Sequence, residues 1–313
     1  MRKILITGGA GFIPSSLADR LLANEQNFIV ALDNFSTGRE LNLPRDSLSN
    51  YQFFKCDVND YGSLSKIMRH YCFDYVFHYA AIVGVRRTLE NPLGVLGDID
   101  GTRNVLSLCI ETNVKRIFFA SSSEVYGESK EFPQHEELTP LNSKLPYAVV
   151  KKVGESYLES FKKTHGLDYT IFRFFNTYGV KQSQDFVVSR FLSSALSNQP
   201  ITIYGDGSQT RTFCYIDDNI EITNKILCEN LALNDVLNLG SDIEISILSL
   251  AEKIIEITGS QSSIIHLPPL EIGDMSRRKP DNSKMKRILG RELISLDEGL
   301  TRIINHYKKT LPL

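Results

Sequence analysis

The stretch Ile4-Leu5-Ile6-Thr7-Gly8-Gly9-Ala10-Gly11-Phe12-Ile13 decides the reading of this chain. Residues 4–7 are apolar and short, as a buried strand is, and the glycines follow at once. Residues 14–23 then have helical spacing, with Leu17, Leu21 and Leu22 on one side. Between a strand and a helix, glycines permit a tight turn and close backbone approach to a pyrophosphate, while the helix N-terminus offers free N–H groups and a partial positive charge. A second apolar strand, residues 28–32, runs into Asp33, about 20 residues past the turn. A carboxylate there accepts both ribose hydroxyls of NAD and repels the 2′-phosphate of NADP. Pro14 stands where a third glycine would be expected. Proline is tolerated in the first turn of a helix, so a small local shift with cofactor binding retained is expected.

Working outward, residues 51–56, 75–78, 116–120 and 170–174 read as further strands, with helices over about 63–71, 98–112 and 147–165. Strands alternating with helices predict an α/β fold with a doubly wound, Rossmann-type parallel sheet. The second half is less regular. Helices are expected over 187–197, 217–228 and 246–258, a strand over 200–204, a turn at Gly205-Asp206-Gly207-Ser208, and a final helical stretch after the loop marked by Pro268, Pro269 and Gly273. No linker separates the halves. The expected organisation is a cofactor domain of residues 1–175 with return segments at about 212–258, and a smaller interwoven substrate domain of 176–211 and 259–313.

The chain has 313 residues, long enough to bury a large core without disulfides or metals. Lys+Arg is 35 and Asp+Glu is 37, a formal charge of -2, which argues against nucleic acid or an anionic membrane as partner. Cys56, Cys72, Cys109, Cys214 and Cys228 are scattered without ligand spacing and read as reduced thiols of a cytoplasmic protein. The six histidines also lack ligand spacing, so no metal site is expected, and His78 reads as structural.

Tyr147-Ala148-Val149-Val150-Lys151 puts Tyr and Lys one turn apart on one helix face. A free phenol, with a pKa near 10, is a poor base at neutral pH, and a neighbouring ammonium favours its ionised form. Ser121-Ser122-Ser123-Glu124-Val125-Tyr126-Gly127 follows the strand at 116–120, at the edge where open α/β sheets bind ligands. A serine hydroxyl there either bonds a substrate oxygen or merely caps a turn.

With these residues in place, the chain resembles the extended short-chain dehydrogenase/reductase family, within it the nucleotide-sugar epimerases, dehydratases and decarboxylases. The resemblance runs through Asp33-Asn34-Phe35-Ser36-Thr37-Gly38, His78-Tyr79-Ala80-Ala81, Ser122 to Gly127, Pro146-Tyr147 with Lys151, Arg173 to Gly179, Tyr204 to Arg211 and Arg277-Arg278-Lys279-Pro280-Asp281. It implies Tyr147 as acid/base, Lys151 as its partner, Ser122 as the hydroxyl beside it, and Glu124 as a further catalytic position. NAD would be lined by Gly8, Gly11, Phe12, Ile13, Asp33, Asn34, Asp57, Val58, Ala80 and Ala81, with Tyr147 and Lys151 also reaching it. Arg86, Asn176, Arg211 and Arg277 would hold a nucleotide-sugar, most simply a UDP-sugar. A homodimer through helices near 92–112 and 147–165 is implied too.

The family's chemistry begins by oxidising C4 of the sugar. An epimerase returns hydride to the other face, a decarboxylase loses carbon dioxide from the 4-keto uronate, and a 4,6-dehydratase eliminates water. Ser123 stands where dehydratases typically carry Asp, removing a proton donor. Glu124, Phe175-Asn176-Thr177-Tyr178 and the Arg277-Arg278 stretch resemble UDP-glucuronate decarboxylases, whereas Val83-Gly84-Val85-Arg86-Arg87 and Pro146-Tyr147-Ala148 are more similar to epimerases. The expectation is a C4 epimerase first and a decarboxylase second, with a dehydratase and a non-catalytic NAD-binding protein behind them. Asp98 departs from the Asn usual three residues before Gly101-Thr102.

Overall fold

A computed structural model describes residues 1–44, 48–269 and 277–310. Six parallel strands lie side by side: β1 (Arg2–Thr7), β2 (Asn27–Asp33), β3 (Tyr51–Lys55), β4 (Tyr75–His78), β5 (Arg116–Ser122) and β6 (Asp168–Phe174). Their order is β3-β2-β1-β4-β5-β6, with the strand Asp235–Leu239 added beside β6. The order reverses between β1 and β4, whose C-terminal residues Thr7 and His78 are paired. Open α/β sheets bind their ligands at such a switch point.

The strands are nearly continuous apolar runs because both faces are covered. Leu5, Val30, Leu32, Val76, Ile117, Phe119 and Ile171 share one buried cluster with Leu64, Met68, Val105, Leu106, Cys109 and Leu158. Those partners come from the helices α2 (Tyr61–Tyr71), α5 (Asp98–Glu111) and α6 (Pro146–His165). The alternate strand positions Ile4, Ile6, Ile29, Ala31, Phe77, Phe118 and Phe172 are buried as well, with Phe77 and Phe118 stacked at 4.3 Å. Helix α1 (Phe12–Leu22) packs on β1 and β2 and buries Leu17, Ala18 and Leu21. Two short helices, α3 (Val85–Glu90) and α4 (Pro92–Leu96), precede α5.

Local chemistry sets the helix ends. Pro14 lies within the first turn of α1, which runs on to Leu22. Asp60 caps α2 by accepting from Ser63 N at 3.2 Å, which starts that helix earlier than its apolar spacing implies. Pro146 opens α6 and Gly166, left-handed, closes it. Within α6, Gly154 faces β5, where an added Cβ would come within 2.3 Å of the buried Phe119 ring. That glycine lets helix and sheet approach closely and so fixes the height of the α6 N-terminal residues over β5.

The chain divides into two compact units. The first comprises Met1–Gly127, Leu141–Phe174 and Ile220–Leu237; the second comprises Glu128–Pro140, Phe175–Asn219 and Asn238–Leu313. These limits differ from those the sequence suggests: the return segment shortens to Ile220–Leu237, and Glu128–Pro140 belongs to the second unit. The cause is backbone pairing between segments remote in sequence. Gln134 N donates to Lys279 O at 2.7 Å, Asp281 N donates to Gln134 O at 2.8 Å, and the Asn238 amide bridges Gln134 O and Asp281 O. The second unit contains the helix Val187–Leu196, the paired strands Ile201–Tyr204 and Ile264–Leu267, and a ribbon of Thr210–Thr212 against Glu244–Ser246. No helix among the described residues is long and apolar enough to cross a membrane.

Candidate active site

In the first unit the glycine turn joins β1 to α1. Gly8 has φ +71°, and a Cβ there would lie 2.8 Å from Ala80 N, so the backbone of this turn lies against the loop after β4. Gly11, the N-cap of α1, offers no side chain to the first N–H groups, leaving them to an external anion. Asp33, at the end of β2, accepts from Ala10 N at 3.0 Å and from Phe35 N at 2.7 Å. Each oxygen keeps a lone pair for a ribose hydroxyl. Burial pushes this carboxyl above its ordinary pKa, and the Phe35 and Ala10 N–H groups hold it part-way back. Asn34 donates to Asp57 at 2.9 Å, and Val58 is locked by Asn104, which donates to its carbonyl at 3.1 Å. The residues expected around a dinucleotide are thus gathered at one edge of the sheet. Gly8→Ala should weaken NAD binding about tenfold or more, because it combines a strained φ with a backbone clash. Calorimetric titration with NAD checks this; unchanged affinity would mean that the turn relaxes freely.

His78 holds this edge together. Thr7 Oγ1 accepts from Tyr79 N and Ala80 N, each at 3.2 Å, so its single proton goes to His78 Nδ1 at 2.8 Å. Thr102 Oγ1 donates to Asp98 O, and therefore accepts from His78 Nε2 at 3.2 Å. Both ring nitrogens are committed, and burial, aided by the Lys151 charge, pushes the imidazole down to about 3. His78 is a neutral strut between β1, β4 and α5. Asp98, for its part, accepts from Ile82 N at 2.8 Å and fixes the loop that carries Ala80 and Ala81.

The three residues expected to be catalytic, Ser122, Tyr147 and Lys151, are carried by β5 and α6. Ser122 ends β5, and its Oγ accepts from Glu124 N at 3.1 Å. It does cap the following turn, yet its own proton remains to be donated. Glu124 is half-buried in that turn. Tyr147 is half-buried near the start of α6, and the Lys151 ammonium lies 5.6 Å from its ring centroid and 5.1 Å from that of Phe119. Burial lowers the Lys151 pKa to about 8, against the opposing pull of Asp98 and Glu155. Among the described residues nothing hydrogen-bonds this buried ammonium, as suits a group that completes its coordination on a ligand.

The second unit holds the remaining polar candidates. Asn176 donates to Thr212 O at 3.0 Å, and Arg211 donates to Thr210 O at 2.8 Å. Arg277 pairs with Thr210 through its backbone and with Glu244 through its side chain. Strand alternation puts Thr210 and Glu244 on one face of the ribbon and Arg211 on the other. The side chain of Arg86 lies outside the described residues.

A sequence model described as the NAD dependent epimerase/dehydratase family matches residues 4–240. The chain belongs to this family. NAD is accordingly its cofactor, and the cradle at Gly8, the Asp33 carboxylate and the buried Lys151 ammonium fit that molecule. The chain is 34% identical over 311 residues to a putative UDP-glucose 4-epimerase of Methanocaldococcus jannaschii, covering 97% of this chain and 98% of the relative. It is 33% identical to a UDP-N-acetyl-alpha-D-glucosaminuronate decarboxylase of Bacillus cytotoxicus, with 98% of both chains covered. Among solved structures it is similar to the UDP-glucose 4-epimerase of Thermotoga maritima with UDP-glucose, at TM-score 0.92, 32% identity and 99% coverage of both chains.

One element of the first unit escapes a reading of the sequence. Glu155 and Arg173 form a buried bidentate pair at 2.7 and 3.0 Å, joined by Ser121, which donates to Glu155, and by Tyr126, which accepts from Arg173. Glu155 lies one turn beyond Lys151, and Ser121 precedes Ser122, so the pair ties the segments carrying Ser122 and Lys151 to β6. The only signal was a Glu continuing the i, i+4 face from Tyr147 and Lys151.

Proposed function

We propose that this chain is a nucleotide-sugar C4 epimerase acting through a transient 4-keto sugar, on a UDP-hexose or UDP-hexuronate. Tyr147 takes the C4 hydroxyl proton, helped by the Lys151 charge, while Ser122 donates a hydrogen bond to the same oxygen. NAD, when bound, accepts the C4 hydride and gives it back. Tyr147 then returns the proton to an alcohol of either configuration. Asn176, Arg211 and Arg277 hold the diphosphate, and Arg86 contacts the sugar nucleotide.

The observation that carries this reading is the position after Ser122. Ser123 has a hydroxyl where elimination needs a carboxyl, and it is only 2% exposed. With Tyr147 as acid/base, hydride transfer out and back needs no carboxyl at position 123, whereas elimination of water would need one there. A decarboxylase is the second reading, favoured by Glu124 beside Ser122 and by the 33% identity to the Bacillus cytotoxicus enzyme. The chain is further proposed to form a homodimer through α5 and α6, which size-exclusion chromatography with light scattering tests.

The function is tested by mass spectrometry and proton NMR on reactions with UDP-glucose, UDP-N-acetylglucosamine, UDP-glucuronate and dTDP-glucose. An unchanged mass with an inverted C4 coupling pattern is the expected outcome. Loss of carbon dioxide from UDP-glucuronate alone would replace the epimerase with the decarboxylase.

A further inference from the structure

Glu244 has no part in the roles given so far, yet its carboxylate is among the most heavily engaged in the second unit. Its Oε1 accepts from Arg277 Nε at 2.7 Å and its Oε2 from Arg277 Nη2 at 2.7 Å. Thr210 Oγ1 donates to Oε1 at 3.2 Å, and Lys279 Nζ lies 3.5 Å from Oε2. Hydrogen bonds and charge from Arg277 hold the carboxyl down at about 2, so it stays ionised at neutral pH. The Phe132 ring covers one face of the same guanidinium, with its centroid 4.6 Å from Cζ.

A guanidinium has two edges that match an oxyanion bidentately: the side-on edge, Nε with one Nη, and the end-on edge, Nη1 with Nη2. Glu244 takes the side-on edge and Phe132 fixes the plane. On the end-on edge, Nη1 and the second N–H of Nη2 make no hydrogen bond among the described residues, and the side chain is 44% exposed. An arginine so held presents its remaining donors in one direction without first losing rotamer freedom. Lys279 adds a second cation, so one positive charge remains after Glu244 is counted.

We infer that Glu244 is a positioning residue for the nucleotide diphosphate: by gripping the side-on edge of Arg277 it aims the end-on edge at a phosphate. This rests on the proposed function, in which Arg277 meets the diphosphate. Two effects of removing Glu244 oppose each other. Loss of a nearby negative charge favours an anion, whereas loss of the grip restores rotamer freedom to Arg277. Lys279 beside the carboxylate offsets its repulsion, and the Arg277 side chain is 44% exposed to screening solvent, whereas the ordering is lost in full, so the grip is the larger effect.

The test is calorimetric titration of UDP into NAD-loaded protein, for the native chain and for Glu244→Gln, Glu244→Ala and Arg277→Ala, each checked for folding by thermal melting. UDP affinity should fall about five- to tenfold in Glu244→Ala and by less in Glu244→Gln, which keeps one acceptor. With the substrate from the product assay, KM should rise by a similar factor and kcat should change less than about twofold. A purely structural role would lower kcat and the melting temperature together. If Arg277→Ala weakens UDP binding while both Glu244 variants bind it as well as or better than the native protein, the positioning role is overturned and the proposed function stands. If the native protein binds no UDP, the proposed function itself fails, and the inference with it.

Discussion

Tyr147→Phe is expected to lower kcat about a thousandfold while leaving NAD bound. The variant removes one oxygen and nothing else from α6. Lys151 keeps its burial and its ring contact with Phe119, and Gly8, Asp33 and Asp57, which build the rest of the cofactor edge, are unchanged. What is lost is the group proposed to take the C4 hydroxyl proton as hydride leaves. Ser122 does not replace it, because a hydroxyl that donates a hydrogen bond is not thereby a base at neutral pH. Steady-state kinetics with the native substrate, together with the cofactor content of the purified variant, checks both halves of the expectation. Turnover within tenfold of native would remove Tyr147 from the mechanism. Native NAD content combined with lost activity would separate its chemical role from a structural one.

The second large effect concerns stability. Arg173→Met should destabilise the protein by about 3–5 kcal/mol, the usual cost of leaving one partner of a buried ion pair alone. The side chains of Arg173 and Glu155 are 5% and 6% exposed, so water offers the orphaned carboxylate little compensation. Ser121 continues to donate to Glu155, but the two guanidinium bonds at 2.7 and 3.0 Å are gone. Replacing both partners, as in Glu155→Leu with Arg173→Met, should recover most of the loss, since no charge is then stranded. Denaturant unfolding of the native chain, the single variants and the double variant measures this. Arg173→Met within about 1 kcal/mol of native would mean that Glu155 finds another partner or reaches water. Because the pair ties α6 to β5 and β6, the residual folded fraction of Arg173→Met should also turn over more slowly than its NAD content implies.

How much of this was legible before the structure depends on distance along the chain. The β1–α1 glycine turn, Asp33 at the end of β2 and the Tyr147–Lys151 pair each combine signals a few residues apart, and local backbone geometry turns each into one arrangement. The strand Asp235–Leu239 was not legible, because five residues with polar members give no period to read. The limits of the two units were missed for a related reason: Asn238 and Gln134 are 104 residues apart, and no pattern in either segment announces that they bond.

The sequence by itself determined the doubly wound sheet, through short-range periodicity and turn chemistry, and its motifs pointed to the family and hence to NAD as cofactor; Ser122, Tyr147 and Lys151 are the trio those motifs propose. Only the tertiary structure decided how those groups are held. It made His78 a neutral strut by committing both its nitrogens to Thr7 and Thr102. It joined Glu155 to Arg173 across 18 residues and Glu244 to Arg277 across 33. The first pair forms because burial leaves a charge few partners to choose from, and the second because a strand pairing brings the two residues together; both are decided by packing, which the order of residues does not display.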